Sequence, residues 1–320
     1  MRGALGVLAA ATFTTAQAFD LQAHRGARGL APENTLPAFA LALSLGVTTL
    51  ELDTAITKDG VVVISHDSRL NPDLTRGPDG TWLTGPGPVI QSMTYTELMS
   101  YDVGRLNPST AYGKRYPLQK PIDGTRIPKL ADLFGLVDKS GNTQVRFNIE
   151  TKIDPRAPEL TLPPEQFSRA VVRAVTDAGM RKRVSIQSFD WRTLKGVQAD
   201  APEIPTIYLT AQQQWLNTID SEAAWTAGLR VESYGSIPRM IKAAGGATWS
   251  PYFGDIDVAK LAEARSLGLM VVVWTVNASA DISRMLELGV DGIISDRPDL
   301  VRTEMQKRGM ALPASTPVSP

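Results

Sequence analysis

Apolar and polar positions along this chain follow one repeated grammar: a helix-period stretch, a glycine, a run of apolar strand residues, then polar residues. LALSLGVTTLELD turns at Gly46, VVRAVTDAGMRKRVSIQSFD at Gly179, LAEARSLGLMVVVWTVN at Gly268 and SRMLELGVDGIISDRP at Gly289. Each glycine stands where a helix end takes up a left-handed residue. Near-continuous apolar strands such as 269–273 suit a parallel sheet covered on its outer face. Strands ending in polar residues number about eight, near His24, Asp53, Glu150, Gln187, Thr210, Pro251, Asn277 and Asp296. Eight β-then-α units predict an α/β fold of the TIM (β/α)8 barrel type, in which chemistry gathers at the strands' C-terminal ends. Periodicity alone also allows a doubly wound open sheet. No glycine-rich nucleotide loop occurs, so nucleotide binding has no support.

The rhythm breaks between Asn71 and Arg126, which hold seven Gly, seven Pro and four of the seven Tyr. Thr94 and Glu97 form a capping box that opens a short helix there. The segment is too long for a bare loop and reads as an ordered insertion, about 71–126, after the second strand and over one barrel mouth. Its Trp82, Tyr95, Tyr101, Tyr112 and Tyr116 either cage a quaternary ammonium or form the insertion's own small core.

The termini differ from the body. Arg2, the apolar stretch from Leu5 to Thr15 and Ala16-Gln17-Ala18 resemble an export signal cut after residue 18, which predicts a periplasmic or secreted protein. Residues 19–310 then form the barrel domain, and the Pro- and Ser-rich residues 311–320 read as a disordered tail. The stretch is too short to span a bilayer and no later run reaches ~20 apolar residues, so no stable membrane insertion is expected. Charges balance at 33 basic against 33 acidic, which gives no global field for nucleic acid. With no cysteine, disulfides, thiol catalysis and cysteine–zinc sites are excluded together.

Two strands carry the candidate chemistry. In TLELDTAIT, Glu51 and Asp53 share one face while Leu50 and Leu52 share the other. In QVRFNIETK, Asn148, Glu150 and Lys152 share a face. Buried carboxylates at one barrel mouth repel each other and call for compensation. Either a cation supplies it, with oxygen ligands favouring Ca²⁺ or Mg²⁺, or Lys152 or an arginine does so structurally. The histidines favour the cation. There are two in 320 residues, His24 and His66, both at strand ends near those carboxylates. Two groups with intrinsic pKa near 6.5 suit acid and base roles, and Arg25, beside His24, suits phosphate oxygens.

Taken in order, His24-Arg25-Gly26, Glu33-Asn34-Thr35-Leu36-Pro37-Ala38-Phe39, Glu51-Leu52-Asp53, His66-Asp67, Ile127-Pro128-Lys129-Leu130, Asn148-Ile149-Glu150-Thr151-Lys152, Ser188-Phe189, Trp274-Thr275-Val276-Asn277 and the stretch from Asp291 to Pro298 resemble the glycerophosphodiester phosphodiesterase family. The resemblance runs from about Gln22 to Met305. It implies a TIM barrel with an insertion after the second strand, and cleavage of a small-molecule glycerophosphodiester to glycerol 3-phosphate and an alcohol. It also implies His24 and His66 as the catalytic pair, Glu51, Asp53 and Glu150 as ligands of a divalent cation, and Arg25 and Lys152 on the phosphate. Trp274 packs either beside the glycerol or into the core. Where many relatives carry Arg-Thr-Thr after the second histidine, this chain has Asn71-Pro72-Asp73. Two other readings remain on the sequence: a phospholipase D- or C-like enzyme acting on lysolipids, and a non-catalytic phosphodiester-binding protein.

Overall fold

A computed structural model describes residues 18–220 and 222–320; all but the last residue of the expected export signal lies outside the described residues. Eight parallel strands form one sheet: β1 (Asp20–Ala23), β2 (Thr49–Ile56), β3 (Arg146–Thr151), β4 (Val184–Ser188), β5 (Thr206–Thr210), β6 (Thr248–Pro251), β7 (Met270–Val273) and β8 (Gly292–Ser295). The two ends of the series meet at β1. It pairs with β8 in the register Asp20↔Gly292 and with β2 in the register Gln22↔Thr49. The sheet therefore closes into a barrel, and the open alternative is excluded.

The expected alternation sets the layers. Leu50 and Leu52 of β2 point outward into the main core, which they share with Phe39 and Leu43 of the helix Leu36–Leu45. The helix Pro164–Asp177 buries Phe167, Val171 and Val175, four residues apart, against the barrel. All four boundary glycines of the repeated grammar have positive φ. Inside the barrel a polar layer lies beneath the mouth. Asn148 donates to Gln22 Oε1 and Gln187 Oε1, both at 2.8 Å, and Gln187 Nε2 donates to Glu51 Oε1 at 2.7 Å. Satisfied buried amides of this kind fix the rotamers above them.

After β2 the chain folds back as a short antiparallel strand, Val62–Ile64, paired with the upper end of β2. The insertion follows. Its core is a separate cluster that includes Val63, Leu70, Ile90, Met93, Leu98 and Ile127, with Tyr95 and Tyr101 packed against it. The Thr94–Glu97 capping box is present and opens the helix Tyr95–Leu98. Among the described residues no helix is long and apolar enough to cross a membrane.

The disordered tail expected at 311–320 is a correction. Thr316 N–H donates to Leu43 O at 2.9 Å and Ser315 Oγ to Ser44 O at 2.5 Å. Arg302 Nη1 ties Gly46 O at 2.6 Å to Pro313 O at 2.9 Å. The tail thus supplies a partner to Ser44 O and a second one to Leu43 O in the last turn of the helix Leu36–Leu45. A Cβ on Gly46 would stand 2.6 Å from Pro313 O, so the small residue also admits the strap. Composition failed as a guide because Pro and Ser still offer backbone groups and hydroxyls to a waiting helix end. Deleting 311–320 is expected to cost ~1–3 kcal/mol through those lost partners and to lower the thermal midpoint by roughly 2–8 °C. A melt of the truncated protein checks this, and an unchanged midpoint would show that the strap stabilises nothing.

Candidate active site

The C-terminal ends of the strands surround a cavity of about 720 Å³ lined by His24, His66, Arg25, Glu51, Glu150, Lys152 and Trp274, among others. His24 and Arg25 follow β1 directly, Glu51 and Asp53 lie on β2, Glu150 is the penultimate residue of β3 and Lys152 comes just after that strand. His66 arrives differently. It follows the antiparallel strand Val62–Ile64, held at the rim where Ser65 N–H donates to Asp53 O at 3.0 Å. Both histidines are therefore brought to one cavity, the second by the folded-back strand.

Glu51, Asp53 and Glu150 are buried and offer oxygens within 4.8 Å of one another. Their neighbours compensate only in part. Arg25 Nε faces Asp53 Oδ2 at 3.1 Å, and its Nη1 donates to Glu33 Oε1 at 2.6 Å. Lys152 Nζ meets Glu150 Oε1 at 2.9 Å. Four carboxylates, with Glu33 included, thus face two cations. The electrostatics follow. Burial, then the charges of Asp53 and Glu150, pushes the Glu51 carboxyl well above its usual range. Burial likewise lifts Glu150 to about 7 against the pull of Lys152. Burial also works to raise Asp53, but Arg25 foremost overrides it and holds that group well below the carboxylate range. Asp53 Oδ1 is buried with no hydrogen-bond partner. An orphaned carboxylate oxygen among oxygen-only donors with surplus negative charge fits a hard divalent cation. The structural pairing of these acids with Lys152 and arginine is thus real but incomplete.

Each histidine has a carboxylate on its Nδ1. Asp296 Oδ1 lies 2.5 Å from His24 Nδ1, and Asp67 Oδ1 lies 2.8 Å from His66 Nδ1. This leaves Nε2 of each ring for a reacting group. Burial first, then Arg28, lowers the His24 pKa to about 4 although Asp296 opposes both, so that ring is neutral at pH 7. Burial and then Arg25 lower His66 as well. Arg28 grips Asp296 with Nε and Nη2, both at 3.0 Å, and Asn277 Nδ2 donates to the same carboxylate at 2.8 Å.

Gly26 serves packing. Its φ is +76°, and a Cβ there would stand 2.9 Å from Ala38 and Phe39. The insertion's aromatics form no cage in the cavity. Tyr95 and Tyr101 serve the small core, and Trp82 stacks on Arg76. The aromatic wall comes instead from the opposite rim: Phe189, Trp215, Trp225, Tyr252, Phe253 and Trp274. Trp215, Tyr252 and Trp274 pack edge to face with centroids 5.4–6.1 Å apart. Trp274 thus belongs to the cavity wall, with its Nε1 anchored on Ser250 O at 3.0 Å. Asp296, Arg28, Glu33, Asp67 and Gln187 received no role from sequence. Three of them, Glu33, Asp67 and Asp296, stand inside the motif strings, which was the available signal.

The glycerophosphoryl diester phosphodiesterase family model matches residues 24–300. A glycerophosphodiester phosphodiesterase of Caldanaerobacter subterraneus subsp. tengcongensis is 29% identical over 287 residues, covering 90% of this chain and 98% of that one. One from Bacillus subtilis is 28% identical, covering 87% and 83%. Among solved structures, a putative glycerophosphoryl diester phosphodiesterase from Silicibacter pomeroyi superposes with a TM-score of 0.82 at 36% identity, covering 92% of this chain and 96% of that one. An Oleispira antarctica phosphodiesterase, solved with the product sn-glycerol-3-phosphate, has a TM-score of 0.66 at 24% identity over 90% and 96% of the two chains, a likeness of fold.

Proposed function

This chain belongs to the glycerophosphoryl diester phosphodiesterase family, and we propose that it hydrolyses glycerophosphodiesters to sn-glycerol 3-phosphate and an alcohol. The observation that carries this reading is the meeting of both histidines, Arg25, Lys152, Glu51 and Glu150 in one cavity, with Asp53 buried beside the two acids. Glu51, Asp53 and Glu150 would hold a divalent cation, Ca²⁺ or Mg²⁺. Bound there, it supplies charge to offset the phosphate and to acidify a nucleophilic hydroxyl.

The chain's own groups account for the remaining steps. Arg25 and Lys152 address phosphate oxygens and offset charge as the phosphorus becomes five-coordinate. One histidine Nε2 takes the proton of the attacking hydroxyl. The other gives a proton to the alcohol oxygen as its bond to phosphorus breaks. Asp296 and Asp67 hold the two rings with Nε2 forward. With the glycerol 2-hydroxyl as nucleophile this leaves a cyclic phosphate, which water opens with the two histidine roles reversed, so that in net terms water and diester become phosphomonoester and alcohol. With the full set of groups present, nothing favours a non-catalytic binding protein.

The aromatic wall favours one variation, an apolar substituent on the substrate as in a lysolipid. Incubating the purified protein with glycerophosphocholine and with its monoacyl counterpart, and identifying the phosphate ester formed, tests both. Glycerol 3-phosphate with free choline supports the proposal. Phosphocholine as product, or cleavage of the acyl compound alone, would overturn it.

We further propose export with cleavage after Ala18, supported by the small residues Ala16 and Ala18. Mass spectrometry of the protein from its native compartment is expected to find Phe19 as the first residue. An intact Met1 on the active form would contradict this.

A further inference from the structure

Two chains of charge run through the loop after β1. One goes from Arg25, which faces Asp53, through Nη1 to Glu33 Oε1 at 2.6 Å. The other goes from His24 to Asp296 at 2.5 Å and on to Arg28, whose two contacts with that carboxylate are at 3.0 Å. Both chains end on one oxygen. Tyr112 Oη donates to Glu33 Oε2 and accepts from Arg28 Nη1 at 3.1 Å. Tyr112 lies on the insertion's helix Ala111–Arg115, 79 residues from Glu33, the nearer of the groups it joins.

The surroundings make this joint a built one. Gln119 Nε2 donates to Arg28 O at 2.8 Å, and Lys120 N–H donates to Leu30 O at 3.0 Å. The guanidinium of Arg28 lies 4.9 Å from the Tyr116 ring centre, and Tyr116 in turn packs edge-on against Tyr112 at 5.3 Å. The far end of the insertion thus grips the β1 loop by backbone, ring and hydroxyl. Glu33 and Arg28 are themselves buried, and each uses its remaining capacity on a group at the cavity.

We propose that Tyr112 is a positioning residue for the phosphodiesterase reaction, and that the far end of the insertion supports the catalytic centre through this hydroxyl. It fixes Glu33, and through it the phosphate-facing Arg25. It also holds Arg28, and through Asp296 the ring of His24. The inference rests on the roles given above to Arg25 and His24. A charge-assisted pair of hydrogen bonds restricts side chains whose misplacement by a fraction of an ångström slows a reaction without altering the fold.

The test is Tyr112→Phe in the full-length protein, loaded with its divalent cation and assayed on glycerophosphocholine. The variant keeps the ring and its packing on Tyr116 and removes only the oxygen. The expected result is a fall in kcat of about tenfold with KM within about twofold and a nearly unchanged melting midpoint. The neighbouring Tyr116→Phe should keep kcat, because its hydroxyl lies outside both chains. In the double variant Tyr112→Phe/Arg28→Lys the losses should combine to less than their product, as expected of groups acting in one network. A Tyr112→Phe protein with wild-type kcat overturns the inference. So does an equal loss in Tyr116→Phe, which would mark a general loosening of the insertion. If the wild-type protein leaves glycerophosphocholine uncut, the proposed activity fails, a different outcome from an active wild type matched by its Tyr112→Phe variant.

Discussion

Replacing either histidine by alanine is expected to lower kcat ~10²- to 10⁴-fold while the chain stays folded. The two rings are the only imidazoles in the protein, so no third can take over a proton. Each is already oriented, His24 by Asp296 and His66 by Asp67, with Nε2 left for the substrate. The folded state should survive because His66 is partly exposed on the rim. The His24 ring sits in a polar network rather than in the apolar core. Asp296→Asn should act in the same direction with a smaller loss, since it keeps the shape but weakens the hold on Nδ1. Steady-state rates beside a thermal melt decide the matter. More than a tenth of wild-type activity in either alanine variant would remove that histidine from the reaction.

The second large effect concerns the cation. Exhaustive chelation is expected to abolish turnover, and Ca²⁺ or Mg²⁺ to restore it. Glu150→Gln should demand far more metal for the same rate. The expectation stems from charge: four buried carboxylates against Arg25 and Lys152, and an Asp53 oxygen with no partner. Leaving such groups uncompensated in a low-dielectric mouth costs several kcal/mol, which an oxygen-seeking ion removes. Gln at 150 takes away one negative charge and would also leave Lys152 without its carboxylate. Elemental analysis of the chelated protein accompanies the assay. Full activity with no metal present would refute the cation's role.

Much of this was legible from local pattern. The two-residue period of β2 separates Glu51 and Asp53 from Leu50 and Leu52 whatever the tertiary context, so the inward acids could be read directly. The histidines stood out by scarcity. What escaped the sequence depends on closure and on long-range contacts. Asp296 meets His24 only because β8 closes on β1 across 272 positions. Tyr112 reaches Glu33 only through the fold of the insertion. The aromatic wall gathers residues from the loops after β4, β5, β6 and β7, none conspicuous alone, whereas the clustered aromatics of the insertion drew notice and went to its own core, to Arg76 and to the β1 loop. The tail was misjudged because composition reports what a segment can bury by itself, not which helix end awaits it.

The most direct measurement is product identification with metal-stripped protein and glycerophosphocholine, before and after one divalent cation is returned. The account predicts no cleavage by the stripped protein. On addition of Ca²⁺ or Mg²⁺ it predicts glycerol 3-phosphate and choline in equal amounts, and at least ~100-fold less of either in the same time from the His24→Ala or His66→Ala protein given the same ion. Cleavage that ignores the cation, or a repleted wild-type protein that releases phosphocholine or nothing at all, would contradict it.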